Sequence, residues 1–252
     1  MRKSIFLIVL FVLTGFLADA QRDRKNKDDN KNQYNNGYGN RRRAPSLSMG
    51  VQVIDPRGQF GNLYDRHPAG ISGLFSVNWG LSPIEFGFGA AWHQLGNTKE
   101  KVTIIDGENN NGNPVFVAGK LAVKSNLYTY QAIGRFKPMA GPIQPYVDLV
   151  GGFRTFSTKT IIEQVIDGST EEISTDRDKR DFALTHGWAA GLKVRLNDYL
   201  MIEGRMEIMK GSEVEFIDTE SLEIDYFGNV QYQELVSQSD MRIFHLGISV
   251  EF

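Results

Sequence analysis

The last twelve residues, Met241 to Phe252, read MRIFHLGISVEF, and their pattern decides the fold. A β-strand shows successive side chains to opposite faces. Phe244, Leu246, Ile248, Val250 and Phe252 therefore share one face, and Ile243, His245, Gly247, Ser249 and Glu251 the other. The first face is apolar from end to end. The second carries an imidazole, a hydroxyl and a carboxylate. A water-soluble barrel would turn the apolar face inward, whereas a membrane barrel turns it to lipid and keeps a polar interior. This strand thus bears on architecture and location together.

The same two-residue period recurs from Pro45 onward. SLSMGVQVI (46–54) sets Leu47, Met49, Val51 and Val53 against Ser46, Ser48, Gly50 and Gln52. GISGLFSVNW (70–79) sets Ile71, Phe75, Val77 and Trp79 against Ser72, Ser76 and Asn78. IEFGFGAAWH (84–93) sets Ile84, Phe86, Phe88, Ala90 and Trp92 against Glu85, Gly87, Gly89, Ala91 and His93. LYTYQAIGRF (127–136) and YVDLVGGFR (146–154) repeat the pattern, with Thr129, Gln131 and Arg135, then Asp148, Gly152 and Arg154, on the polar side. Residues 182–196 oppose Leu184, Trp188, Leu192 and Val194 to Thr185, Lys193 and Arg195. LMIEGRMEI (200–208) opposes Leu200, Ile202, Met206 and Ile208 to Glu203, Arg205 and Glu207. With the closing segment this makes eight strands, an even count, each near the ~9–11 residues of a tilted spanning strand. The reading is all-β: an eight-stranded antiparallel up-and-down transmembrane barrel.

The links between these strands sort by length. Residues 81–83, 137–144 and 197–199 are short; 55–69, 95–121, 157–181 and 210–240 are long. With the amino-terminal end on the periplasmic side, the short links become periplasmic turns and the long ones extracellular loops. KVTIIDG (101–107) and NPVFVAGKLAV (113–123) both alternate about a turn, as does FIDTESLEIDYFGNVQYQEL (216–235) about Phe227-Gly228-Asn229. Strands three and four, and seven and eight, are expected to continue outside the membrane as paired ribbons. Exposed strand edges can pair with other chains. Aromatic rings favour the headgroup layer. Trp79, Phe136 and Phe252 lie near the short-turn ends of the apolar faces, and Trp92, Tyr128, Phe182 and Phe244 near the loop ends.

The amino terminus fits export. Arg2 and Lys3 precede an apolar run, Ile5 to Leu17, and Ala18-Asp19-Ala20 supplies small residues for cleavage. Residues 1–20 are expected to be a signal peptide. Residues 21–44 hold eight basic and three acidic side chains and almost nothing apolar, so they are expected to form a disordered polar, basic periplasmic tail. Residues 45–252 form the barrel. That part has 18 basic against 26 acidic residues and no nucleic-acid footprint. The chain has no cysteine, which excludes disulfides, thiolate catalysis and zinc–thiolate sites.

The terminal-Phe strand, with GFGAAW (87–92), GLKVRLND (191–198) and PYVDLVGGF (145–153), resembles the small eight-stranded outer-membrane barrels: the OmpX and OmpA transmembrane-domain type and the related PorT-like group. The resemblance implies an outer-membrane location, with outer-membrane lipid and lipopolysaccharide around the wall. It also implies that the barrel-assembly machinery recognises Phe244, Leu246, Ile248, Val250 and Phe252. The PorT-like likeness implies an accessory role in a secretion or surface machine. The family also includes adhesins, structural barrels and lipid A-modifying enzymes, so the fold leaves the function open.

The polar face collects Glu85, His93, Arg135, Asp148, Arg154, Lys193, Arg195, Glu203, Arg205, Glu207, His245 and Glu251. Acids and bases nearly balance, and an eight-stranded barrel is only wide enough for its own side chains. These residues are expected to form a paired lumen plug rather than a pore. A hydrolase needs a nucleophile, a base and an orienting acid in reach of one another. His186 and Ser157 are the nearest candidates, and no local motif joins them. The loop IDGENNNGN (105–113) spaces Asp106, Glu108 and Asn110 like calcium ligands, but Gly112 comes one place late and no Glu closes the loop. No catalytic residue, metal site or cofactor is assigned. Function is expected to be structural, or to lie in partner contacts at the extracellular loops.

Overall fold

A computed structural model describes residues 45–78, 83–108, 114–139, 141–166, 169–217, 221, 223–224 and 230–252. The expected signal peptide and tail, Trp79 and the Phe227–Asn229 turn lie outside the described residues. Eight strands close a barrel: β1 (Ser46–Pro56), β2 (Ala69–Asn78), β3 (Ile84–Glu108), β4 (Pro114–Phe136), β5 (Ile143–Ile166), β6 (Ser169–Arg195), β7 (Leu200–Gly211) and β12 (Met241–Glu251). Each pairs antiparallel with its neighbour in the chain. The ring is completed where β12 lies between β7 and β1, from Ser46↔Glu251 to Pro56↔Met241. Among the described residues no helix is long and apolar enough to cross a membrane.

The alternation read from the sequence holds around the wall. Leu149, Leu184, Leu246 and Ile71 point outward and are 60–73% exposed, while Glu85, Arg135, Asp148, Lys193 and Glu203 on the opposite face are almost wholly enclosed. A water-soluble protein would not leave so continuous an apolar surface open. Facing hydrocarbon, it is the favourable side. Trp92 stands opposite Tyr128, and Tyr130 opposite Phe153 with ring centroids 5.2 Å apart, which gives an aromatic row near the long-loop end.

The long links are more structured than the sequence suggests. Residues 55–69, expected as a loop, contain a short helix, α1 (Gly58–Leu63). Gly58 starts it with φ +59°, a conformation that disfavours any residue with a Cβ. Residues 157–181, also expected as a loop, continue β5 and β6 as a paired hairpin up to Ile166↔Ser169. The β3–β4 ribbon forms as expected and pairs out to Glu108↔Pro114. The extension of strands seven and eight is broken rather than continuous. β8 (Glu213–Ile217) and β11 (Glu234–Gln238) make a separate two-stranded sheet, and β9 (Glu223–Ile224) pairs with β10 (Val230–Gln231). The break has a local cause. Ser212 donates its backbone N–H to Leu184 O at 2.8 Å, the Gly211 N–H goes to Asp240 Oδ1 at 3.1 Å, and Glu215 donates to Asp181 Oδ2 at 2.8 Å. These bonds turn β8 toward β6. Lys179 on β6 then reaches Glu215 at 2.7 Å and Glu234 at 3.0 Å, and these two carboxylates hold its ammonium pKa above the usual lysine range.

Inside the mouth, Phe60 of α1 is fully buried. Its ring lies 5.5 Å from Tyr64, 6.0 Å from Phe156 and 5.2 Å from Phe216. Ile54, Leu127, Met209, Met241 and Ile243 complete this apolar stopper. The lumen is therefore not polar throughout, as the sequence reading supposed.

Two measurements check this architecture. Leu246→Arg, at mid-wall, is expected to cost about 2–4 kcal/mol in urea unfolding from lipid vesicles. Phe60→Ala is expected to cost about 3–5 kcal/mol, the range for removing a fully buried aromatic ring.

Candidate functional site: the charged lumen

Strand register brings the lumen charges together. On the inner face, Glu85 faces Arg135, and Arg135 faces Asp148 across the next pair. Lys193 faces Glu203, and Arg205 faces His245. All but the last pair lie near the short links, where β3, β5 and β7 begin and β4 and β6 end.

Arg135 is the centre. Its Nε donates to Asp148 Oδ1 at 2.8 Å and its Nη2 to Asp148 Oδ2 at 3.1 Å, a two-pronged pairing. Nη2 also lies 3.4 Å from Glu203. The guanidinium lies 3.6 Å above the Tyr146 ring, whose hydroxyl donates to Glu203. Arg205 reaches the same Asp148 carboxylate, with Nε 3.0 Å from Oδ2, and donates from Nη1 to Glu207 at 2.6 Å. The Nε contact is an ion pair by distance but lacks hydrogen-bond geometry. Lys193 donates to Ser249 at 2.9 Å and Ser46 at 3.2 Å, with Glu203 at 3.9 Å.

A second cluster lies at the rim. Arg195 donates to Glu251 at 2.7 Å. Lys137 lies 2.5 Å from Glu85 and 3.6 Å from Glu251, and Ser76 donates to Glu85 at 3.1 Å. Of the residues the sequence singled out, Glu85, Arg135, Asp148, Lys193, Arg195, Glu203, Arg205, Glu207 and Glu251 thus meet in two linked clusters. Arg154 stands apart. It donates to Ser239 O at 2.8 Å, with no carboxylate ion pair among the described residues.

Two members were missed. Lys137 sits in a short link and reaches in from outside any strand. Tyr146 has the same parity as Asp148, so alternation alone would have placed it inside. Gly191 makes room for it: a Cβ at Gly191 would come within 2.3 Å of the Tyr146 ring.

The arrangement fills space with paired charge. Arg135, Lys193, Glu203 and Glu207 are all under 2% exposed. The hydrolase candidates do not meet. His186 pairs with Gly151 and Ser157 with Arg180, which puts six residues, roughly 20 Å of strand, between them. His245 contacts Ser72 at 3.0 Å, but among the described residues no carboxylate bonds its other ring nitrogen. No group of three or more His, Asp or Glu side chains able to hold a metal occurs among the described residues. The calcium-like segment 105–113 falls largely outside them.

No family model and no curated protein matches the chain. Among the solved structures it resembles are small outer-membrane barrels. Neisserial surface protein A is 11% identical, with 82% of this chain and 97% of that one covered and a TM-score of 0.40. A major outer-membrane protein of Thermus thermophilus is 13% identical, with 83% and 100% covered and a TM-score of 0.40. The attachment invasion locus protein Ail of Yersinia pestis is 12% identical, with 83% and 97% covered and a TM-score of 0.36. At these identities the likeness is one of fold.

Asp148→Ala removes the carboxylate that Arg135 and Arg205 share, leaving them only Glu203 and Glu207, and is expected to destabilise the barrel by about 3–5 kcal/mol. Arg195→Ala, at the part-exposed rim, should cost about 1 kcal/mol or less. Denaturant titration in vesicles compares the two. Near-equal losses would refute the ranking.

Proposed function

We propose that this chain is a non-enzymatic integral outer-membrane barrel whose extracellular ribbons contact partners. The signal-like residues 1–20 and the exposed apolar wall support export and insertion. The row Phe244, Leu246, Ile248, Val250 and Phe252 is the element by which the barrel-assembly machinery would take up the chain. Lumen charges that pair with one another favour a filled scaffold over a conduit.

The observation that carries the contact role lies in β3–β6. These strands run 23–27 residues, more than twice what a spanning strand needs. Beyond the aromatic row, β3 climbs from Trp92 to Glu108, sixteen residues or roughly 50 Å of strand. β2 pairs with β3 only as far as His93. Past that point β3 pairs on one side alone among the described residues, and an open strand edge accepts an added strand. Lys99, Glu100 and Lys101 lie on this edge strand, so it carries charge of both signs.

Shortening the β3–β4 ribbon by replacing residues 101–120 with Asn-Gly keeps the Glu100↔Leu121 pair as the last rung. The shortened barrel should still migrate differently before and after boiling, but lose partners captured by cross-linking on outer membranes. Undiminished capture, or recovery of the full barrel alone, would sink the contact role. Co-recovery of secretion components would instead mark an accessory subunit. His186→Ala should leave lipid A composition unchanged; an altered profile would restore the hydrolase reading.

A further inference from the structure

The outward face of β5 changes character abruptly. Val147, Leu149 and Phe153 are exposed and apolar, and the next residues on that face are Thr155, Ser157 and Lys159. From Ile143 to Phe153 a strand tilted by ~40° climbs about 25 Å, the height of an apolar barrel wall. Thr155 and those above it therefore stand at the outer headgroup level, a placement that rests on the membrane reading above.

Thr155 and Ser157 are nevertheless buried, because their neighbours overhang them. Tyr128 pairs with Thr155 on one side and Arg180 with Ser157 on the other. The result is a pocket of about 220 Å³ lined by Tyr128, Tyr130, Thr155, Ser157, Lys159 and Arg180. Its charges are all of one sign. Lys159 and Arg180 are its two charged lining residues, and Lys124, just outside the lining, lies directly opposite Lys159. Like charges facing each other across a strand pair destabilise it. Among the described residues no carboxylate pairs with Lys124, Lys159 or Arg180, whereas the adjacent Lys179 is taken up by Glu215 and Glu234. The Arg180 guanidinium is held in place 5.1 Å over the Phe182 ring.

Three cations with no carboxylate partner among the described residues, two hydroxyls and two tyrosine rings at the lipid boundary call for a bound anion with an apolar or sugar-like neighbour. We infer that this pocket binds a phosphate carried on the headgroup of an outer-leaflet glycolipid. Lys124, Lys159 and Arg180 take the phosphate by charge-assisted hydrogen bonds, Thr155 and Ser157 supply hydroxyl donors, and Tyr128 and Tyr130 pack against the ring that bears it. The site deepens the membrane reading by naming a lipid chemistry that one sector of the wall selects.

The full chain is refolded into phosphatidylcholine vesicles and titrated with lipid A or with enzymatically dephosphorylated lipid A. Lipid retained on the protein is then counted by native mass spectrometry. The phosphorylated form should be retained at a concentration at least about tenfold lower. Lys159→Gln with Arg180→Gln should remove that preference, whereas Lys210→Gln, a cation of β7 outside the pocket, should not. Millimolar inorganic phosphate should fail to displace the lipid. Equal retention of the two lipids by the unaltered chain overturns the inference without needing any variant. So does an unchanged preference in the folded double variant, and displacement by inorganic phosphate would mark a free-anion site instead. A chain with no boiling-dependent mobility in vesicles would fail earlier, at the membrane reading itself.

Discussion

In hydrocarbon there is no water to hydrogen-bond a peptide group, so every backbone N–H and C=O of the spanning wall must find a partner within it. A sheet meets that demand only if it has no edge. The seam between the first and last strands, Ser46↔Glu251 through Pro56↔Met241, removes the edge here. The outward rows of Leu, Phe and Val follow from the same constraint. Once the backbone is internally satisfied, the outer face is free to be as apolar as lipid, and the inner face must absorb whatever polarity the strands carry.

That interior is divided. Toward the short links it is a lattice of carboxylates, guanidiniums and hydroxyls centred on Arg135 and Asp148. Toward the long links it is an apolar stopper built from Phe60, Phe156 and Phe216. Buried charge is costly unless it is paired or hydrogen-bonded, and Asp148 serves two arginines at once. Between these layers Arg154 is held by a backbone carbonyl instead of a carboxylate. A narrow barrel filled in this way has its interior occupied by its own side chains.

Much of this was legible in the sequence because the two sides of a membrane barrel differ so sharply that alternation becomes strict. Met241–Phe252 and Ile84–His93 give the closing strand and an inner wall almost residue by residue. Features that depend on a third dimension were not legible. Gly58–Leu63 has neither a capping side chain nor a repeating apolar face, and one buried ring, Phe60, holds it in the mouth. Lys137 reaches the lumen from a link, where a period-two pattern assigns no side. The register shift between Gln94 and Gly96 moves the outward phase of β3 from even to odd positions, so a single-phase reading mislabels Lys99 and Lys101. The β5–β6 hairpin is not legible in the sequence because its polar residues are common to strands and loops.

The seam and the charge lattice share residues. Lys193 is held by Ser249 and Ser46, and Arg195 by Glu251, so both cations draw on the two strands that form the seam. In a nascent, still-open sheet these side chains would stay hydrated, and dehydrating them early would be prohibitive. Closing the seam therefore pairs these cations and removes the water around them together.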